Sequence, residues 1–425
     1  MAVALLAGCA KDKPQLVLAG DRENVLEQRP PLTVEPSLAS LEVVLPNAVD
    51  LQNWSQVGGY PDHAPLHAKL PQQVRKAWST GVGEGKDKYA RLLNAPIVAD
   101  GVVFSMDSES TIYALDAAKG KRLWKKDLRQ KDEKDIGFSG GLAAAGGSVF
   151  AATATGRVVA FDGRTGKQLW EADVNAPVRA APTVAEGKVF VVSHDNRLSA
   201  FSALDGSLIW THNGIEETLG ILGAGSPAVA EGIVVVPYSS GEIYALRAGD
   251  GDYLWHESLG TRNSIDPFSS LGDVVGSPVV INSVVYAVNF NGRLVTFDLK
   301  TGQAYWELET SSSSTPWVAG NMVYILTDDN KLVAVYRKTG QVRWIHDLVK
   351  TAQQDKDDPI YFTGPILAGG RLIVVSSEGY AASINPKTGK AISVVKVAGG
   401  SSVAPVVAGS TLYILSDNGD VVAFR

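Results

Sequence analysis

The side chains able to do chemistry are few and widely spaced. The 425 residues include one cysteine, Cys9, and six histidines. A lone thiol can neither close an internal disulfide nor build a cysteine-rich metal site. His63 and His67 lie four apart, a spacing that on a helix turns two imidazoles toward one metal ion. Pro61 and Pro65 forbid that helix, so the pair is read as part of a surface loop. His194, His212, His256 and His346 have no ligand spacing. Asp195, Asp328, Asp329 and Asp417 fall where turns are expected, and a short carboxylate there accepts nearby backbone N–H groups. No nucleophile–base pair, acid–base pair of carboxylates or phosphate cradle emerges. The reading is of a chain without catalytic, cofactor-binding or metal-binding residues. A formal net charge of −6 argues against a nucleic-acid groove.

What recurs instead is a phrase. Its clearest copy is AFDGRTGKQLW, from Ala160 to Trp170. Variants end at Trp124, Trp210, Trp255, Trp306 and Trp344, and SINPKTGK (Ser383 to Lys390) keeps the front of the phrase without the tryptophan. Trp78 closes a phrase whose front half is missing. From Trp78 to Trp344 the tryptophans recur at steps of 46, 46, 40, 45, 51 and 38 residues. A period of about 40–50 residues belongs to propellers and solenoids, in which each repeat buries its faces against its neighbours.

The phrase reads as a turn between two strands. An apolar run such as VVAF forms a strand, Asp162 and Gly163 break it, and Gly166 takes the backbone conformation a tight turn needs. A second hairpin lies upstream of each phrase, so the unit is four short antiparallel strands, a propeller blade. Eight such units follow one another. The last, from Pro405, has only three strands before Arg425, while the strand around Trp78 stands alone. Pairing these two remnants closes the ring and removes its open edges. The predicted fold is an all-β, eight-bladed propeller with Trp78 in the final blade, seven blades being the competing count. Trp78, Trp124, Trp170, Trp210, Trp255, Trp306 and Trp344 are assigned to filling the wedges between blades.

The N-terminal Leu6-Ala7-Gly8-Cys9 resembles the lipobox of bacterial lipoproteins. The resemblance implies cleavage before Cys9, acylation of its thiol and amino group, and anchoring without a membrane span. No basic residue precedes the short apolar run, which places the true start upstream. Ala10 stands where an aspartate would hold such a lipoprotein in the inner membrane, so the outer membrane's periplasmic face is expected. Residues 1–8 are then a signal-peptide remnant, 9–50 a lipidated cysteine and tether, 51–77 a lead-in segment and 78–425 the propeller.

The phrase A-x-D-x-x-T-G-x-x-x-W resembles the tryptophan-docking repeat of pyrroloquinoline-quinone enzymes. That repeat also occurs in the outer-membrane protein assembly factors, which match this chain in size, lipobox, tether and a bare ring. This second resemblance implies a non-enzymatic scaffold lipoprotein of the barrel-assembly machinery. The implied partner is the POTRA region of a BamA-like barrel-assembly protein, with unfolded outer-membrane proteins as a further one. The chain would be a monomer inside a hetero-oligomeric complex. In that family the connection into the fourth blade carries Leu-Ser-Leu-Arg; here it is Leu219-Gly220-Ile221-Leu222. The next connection carries Asp-Val-Asp, here Asp273-Val274-Val275. Leu219, Ile221, Leu222 and Asp273, with Phe268 from the same second connection, are the implied partner-binding residues. Large apolar side chains on glycine-rich loops suit a partner surface. The alternatives are a small periplasmic quinoprotein dehydrogenase and a different envelope scaffold.

Overall fold

Short apolar strands buried on both faces and divided by turns form eight four-stranded antiparallel sheets among the described residues. They are seen in a computed structural model describing residues 31–64, 66–87, 91–129, 140–215, 224–259, 274–290, 292–352 and 360–425. Seven sheets run in sequence order from the ring axis outward. In blade two, for instance, Leu142–Ala145, Ser148–Ala152, Arg157–Asp162 and Gln168–Asp173 pair in that order. The eighth joins the chain's two ends: Lys76–Gly81 pairs with Asp420–Phe424, bringing Trp78 opposite Ala423. The predicted eight-bladed ring and its closure are therefore what the chain forms.

The repeated phrase works as its residues suggest. Asp162 ends the third strand of blade two and accepts from the backbone N–H (2.8 Å) and hydroxyl (2.7 Å) of Thr165. Gly166 follows at φ +67°, a conformation that penalises a side chain. The return strand then takes a bulge: Ala160 faces Trp170 and Phe161 faces Gln168, so Leu169 has no partner and turns outward, half exposed. The bulge re-aims the indole toward the neighbouring blade. Trp170 Nε1 donates to the Ala203 carbonyl of blade three at 3.1 Å. Each of the other six assigned tryptophans donates in the same way to the next blade's turn, at 2.8–3.3 Å. Each indole thus spans the seam between its own blade and the next.

Ser393 stands where blade seven should carry its tryptophan, opposite Ser383. Blade eight explains the substitution. Its outer strand comes from residues 76–81 and not from a hairpin with Asp420–Phe424, so the turn that receives an indole in the other blades is not formed between those two strands. The outer strand of blade seven, Ala391–Lys396, is exposed along its whole length.

The lead-in segment crosses the ring axis at the far ends of the inner strands. Trp54 exchanges backbone hydrogen bonds with Val98 of blade one at 2.7 and 2.8 Å. Ser55, Pro61, Asp62 and Leu51 accept from blades two, four, five and eight, at Ala144, Val229, Val280 and Gly409. The Gln56 amide serves both backbone groups of Val184 in blade three. Ala68 pairs with blade seven around Leu367, and Trp54 stacks on Trp317 of blade six, centroids 6.2 Å apart. One short segment thus touches all eight blades and plugs one mouth of the ring.

Burial of this plug corrects the surface-loop reading of its histidines. His63 is fully buried and His67 nearly so. His67 Nδ1 lies 2.8 Å from the Pro46 carbonyl and Nε2 accepts from the Gly370 N–H at 2.8 Å. His63 Nδ1 lies 2.9 Å from the Pro278 carbonyl. The described residues around Pro61 form no helix, but they lie buried against the blades instead of over the surface. The described part of the expected tether, 31–50, also lies against the ring. Glu35 N–H donates to Val342 of blade six, and the Asn321 side chain bonds the backbone of Glu42 and Val44.

Candidate partner-binding face

The five residues singled out for partner binding, Leu219, Ile221, Leu222, Phe268 and Asp273, lie outside the described residues, as does Cys9. The roots of their two connections are described. The first leaves blade three at Gly214, where a Cβ would stand 2.6 Å from the Tyr238 ring, so the chain passes flush against blade four. The second leaves blade four at Leu259, fully buried, whose N–H donates to the Gly241 carbonyl at 2.8 Å.

The two connections are joined where they return to the axis. Gly225 N–H donates to the Val274 carbonyl at 3.2 Å, and Ser226 N–H donates to Ser277 Oγ at 3.0 Å. A Cβ on Gly225 would meet Pro237 at 2.8 Å and the carbonyls of Val274 and Gly276 at 3.1 Å. Glycine lets the two backbones approach this closely. The described roots of the two connections are therefore bonded to each other. Val275, in the place of the second family aspartate, lines the axial cavity.

Sequence spacing misses a histidine–tyrosine ladder on the outside of the same seam. His212 from blade three and His256 from blade four flank Tyr244, with centroids 4.9 and 5.0 Å away. His212 Nδ1 is 2.8 Å from the Tyr238 hydroxyl, and His256 Nδ1 is 3.0 Å from that of Tyr253. Burial pulls the His212 imidazole below its ordinary pKa and pushes the Tyr238 phenol up. His212 and Tyr238 meet across two blades, with a separation of 26 residues that shows no periodicity. The ladder packs blade three on blade four.

The expected turn aspartates take two roles. Asp195 and Asp329 accept from the Ser193 and Thr327 hydroxyls inside their own turns. Asp328 and Asp417 reach further, each accepting a backbone N–H and a hydroxyl from a serine of the incoming connection, Ser313 and Ser402 respectively. Burial raises the pKa of Asp328. Among the described residues no group of three His, Cys, Asp or Glu side chains is placed to hold a metal.

A ring of this build matches known proteins. The family profile described as "Outer membrane protein assembly factor BamB" matches residues 75–135 and 108–346. The chain belongs to the BamB family. The BamB of Salmonella typhimurium is 31% identical over 356 residues, covering 81% of this chain and 87% of that protein. The BamB of Yersinia pestis is 29% identical over 356 residues, covering 82% and 88%. The crystal structure of BamB from Moraxella catarrhalis shares the fold, with a TM-score of 0.69 and 21% identity, over 83% of this chain and all of that one. Membership of the BamB family makes the chain a non-enzymatic assembly factor and not a dehydrogenase built on the same repeat.

Proposed function

We propose that the chain is a scaffold lipoprotein of outer-membrane β-barrel assembly. Acyl groups on Cys9 hold it at the periplasmic side of the outer membrane, and its loop rim binds the POTRA region of a BamA-like barrel-assembly protein. The observation that carries the rim assignment is the bonded pair of roots, Gly225–Val274 and Ser226–Ser277. It supports a single surface made from two connections whose apolar residues are Leu219, Ile221, Leu222 and Phe268. A rigid ring orders few residues on binding, which keeps the entropic cost of association low. Burying each aliphatic side chain would contribute about 1.5–3 kcal/mol, concentrated in a few positions. Asp273 sets register against a basic group and contributes less from the rim. The ring thereby holds the assembly protein's periplasmic arm in position while barrel substrates fold and insert.

The test is affinity purification from the native envelope, comparing wild type with the double variant Leu219→Asp, Ile221→Asp after circular dichroism has shown that both fold. Wild type is expected to bring down the barrel-assembly protein and the variant to lose most of it. Equal recovery with both overturns the rim. No barrel-assembly protein with either overturns the function.

A further inference from the structure

Positive charge collects along the seam that closes the ring. Arg75 and Lys76 open the outer strand of blade eight, Arg425 follows its third strand, and Lys119, Lys121 and Arg122 lie in and beside the neighbouring turn of blade one; all six are exposed. Hydrogen bonds hold them as one patch. The backbones of Arg75 and Arg425 exchange N–H···O bonds at 2.6 and 2.9 Å, and the Arg425 guanidinium donates to the Ala117 carbonyl of blade one at 2.7 Å. Thr80 Oγ1 donates to the Gly120 carbonyl at 2.7 Å. Among the described residues none of the six makes an ion pair. Asp116 lies among them, its Oδ1 accepting the Lys119 N–H at 2.7 Å. Together with a free carboxylate at Arg425 it would offset only two of the cations.

The turns on either side continue the patch. In blade two the repeated phrase adds exposed Arg164 and Lys167 around Asp162, and in blade seven it adds exposed Lys387 and Lys390, with Asn385 in the place of the aspartate. Blades three and four differ: Asp205 stands without a cation in its turn, and Arg247 is paired with both Asp250 and Asp252. The chain as a whole carries −6, so a cationic arc over blades seven, eight, one and two is set into an acidic protein. Apolar side chains project from the same arc. The bulge between Ala114 and Leu115 leaves Leu123 unpaired beside Arg122, and Leu169 takes the equivalent place in blade two; each is 49% exposed. Cations interleaved with outward leucines suit the boundary of a lipid bilayer, where anionic headgroups meet the charges and the acyl margin accepts the apolar tips. Lysine stems add to that apolar contact while their ammonium groups stay in water.

We propose that this arc rests against an anionic phospholipid surface and so orients the ring. Blade four lies three blades on from blade one, which turns the seam of the candidate rim away from the lipid. The orienting role rests on the proposed acylation of Cys9; the affinity for lipid does not. At physiological ionic strength screening confines the attraction to about 8 Å. The arc therefore orients an anchored ring and does not hold an unanchored one.

The test is vesicle flotation of the full chain carrying Cys9→Ser, so that failed lipidation leaves the result untouched. Vesicles are phosphatidylcholine alone, or phosphatidylcholine with about one-third phosphatidylglycerol to supply the anionic surface. Ionic strengths of about 0.01 and 0.15 M set the Debye length at about 30 and 8 Å. Binding to the phosphatidylglycerol vesicles is expected at the lower salt, with little to phosphatidylcholine and most of it lost at the higher salt. Lys121→Glu with Arg122→Glu should weaken that binding at least tenfold, and the milder Lys121→Gln with Arg122→Gln should weaken it less. Lys350→Glu with Lys396→Glu makes the same change in net charge at the far ends of blades six and seven; it should alter binding by no more than about twofold, since those charges lie outside the screened contact. Melting temperatures show that each variant folds. No vesicle binding at low salt, equal binding to both vesicles, or equal weakening by the two glutamate pairs overturns the proposal. Capture on polyglutamate beads without vesicle binding overturns it in favour of an acidic protein.

Discussion

The indole of Trp78 lies directly across Gly120: a Cβ built on that glycine would stand 2.5 Å from Trp78 Cδ2. Trp78 comes from the N-terminal strand that completes blade eight, and Gly120 from the turn of blade one. The seam that closes the ring is thus built like the seams inside it, where Gly166, Gly206, Gly251, Gly302, Gly340 and Gly389 receive their tryptophans at comparable distances. The closing seam is held non-covalently, by this wedge and by the pairing of Lys76–Gly81 with Asp420–Phe424.

Gly120→Ala should therefore cost more than a left-handed glycine usually does. Gly120 has φ +69° and Gly101 has φ +76°, so alanine strains both backbones by about 1–2 kcal/mol. Around Gly101 nothing lies within 4 Å of the new methyl. At Gly120 the methyl also displaces the indole, adding about 1–3 kcal/mol of overpacking. Denaturant unfolding of both variants checks this; equal losses would mean the indole yields freely.

Deleting residues 74–82 should open the ring. Blade eight would lose its outer strand, exposing the edge of Asp420–Phe424, and blade one would lose its wedge. Trp78→Ala removes only the wedge from a half-buried site, at about 2–4 kcal/mol. Expected outcomes are a markedly lower, less cooperative melting transition with aggregation for the deletion, and a lowered but still single transition for the point variant. Light scattering alongside calorimetry separates the two.

How far the fold was legible can be judged at three places. The ring and its closure were readable because Trp78 had no front half and the last repeat no fourth strand. The missing tryptophan of blade seven was visible but not interpretable, since Ser393 makes sense only once blade eight is seen to lack the receiving turn. His63 was misread for a general reason. Proline-bounded loops mostly run over surfaces, and nothing local marks one that crosses an axis where eight inner strands end with backbone groups to satisfy. The candidate rim rests on residue types in two connections. The joining of their roots through Gly225 and Val274, 49 positions apart in sequence, has no periodic signature.

Acid should weaken the plug while relieving a strain in blade one. His63 is held near pKa about 4, below its ordinary 6.5. The unfolded chain takes up a proton below pH 6.5 and the folded plug does not, so this stabilisation is complete above pH 6.5 and is lost as pH falls toward 4. Asp107 runs the other way. Burial pushes its carboxyl up to about 6, although it accepts the N–H groups of Glu109 and Thr111. Its buried charge costs stability above pH 6, and that cost is relieved as pH falls from 6 toward 3.8. Asp107→Asn keeps Oδ1 for the Glu109 and Thr111 N–H groups, removes the charge and gives up the long 3.4 Å bond from the Glu84 N–H to Oδ2. Between pH 7 and 5 its melting temperature should fall more steeply than that of wild type, because the compensating relief is gone. Parallel curves would mean that Asp107 does not titrate in this range.

Cys9→Ser should release the protein from the membrane without unfolding the ring. The thiol is the acceptor for the acyl chain the proposed anchor requires, and a serine hydroxyl is a far weaker nucleophile at neutral pH. One acyl chain holds a protein only marginally, so stable anchoring takes at least two. The ring should not feel the change, because its closure runs through Trp78 and Ala423 and its plug begins near Leu51. Labelling cells with a radioactive fatty acid should mark wild type and leave Cys9→Ser unmarked. The variant should move from the membrane to the soluble periplasmic fraction with an unchanged melting temperature. Label retained in the variant, with unchanged fractionation, would rule out Cys9 as the anchor. Loss of label with the protein still on the membrane would instead show that the loop rim's hold on its integral partner is strong enough to retain the ring, and adding Leu219→Asp and Ile221→Asp to Cys9→Ser should then free it.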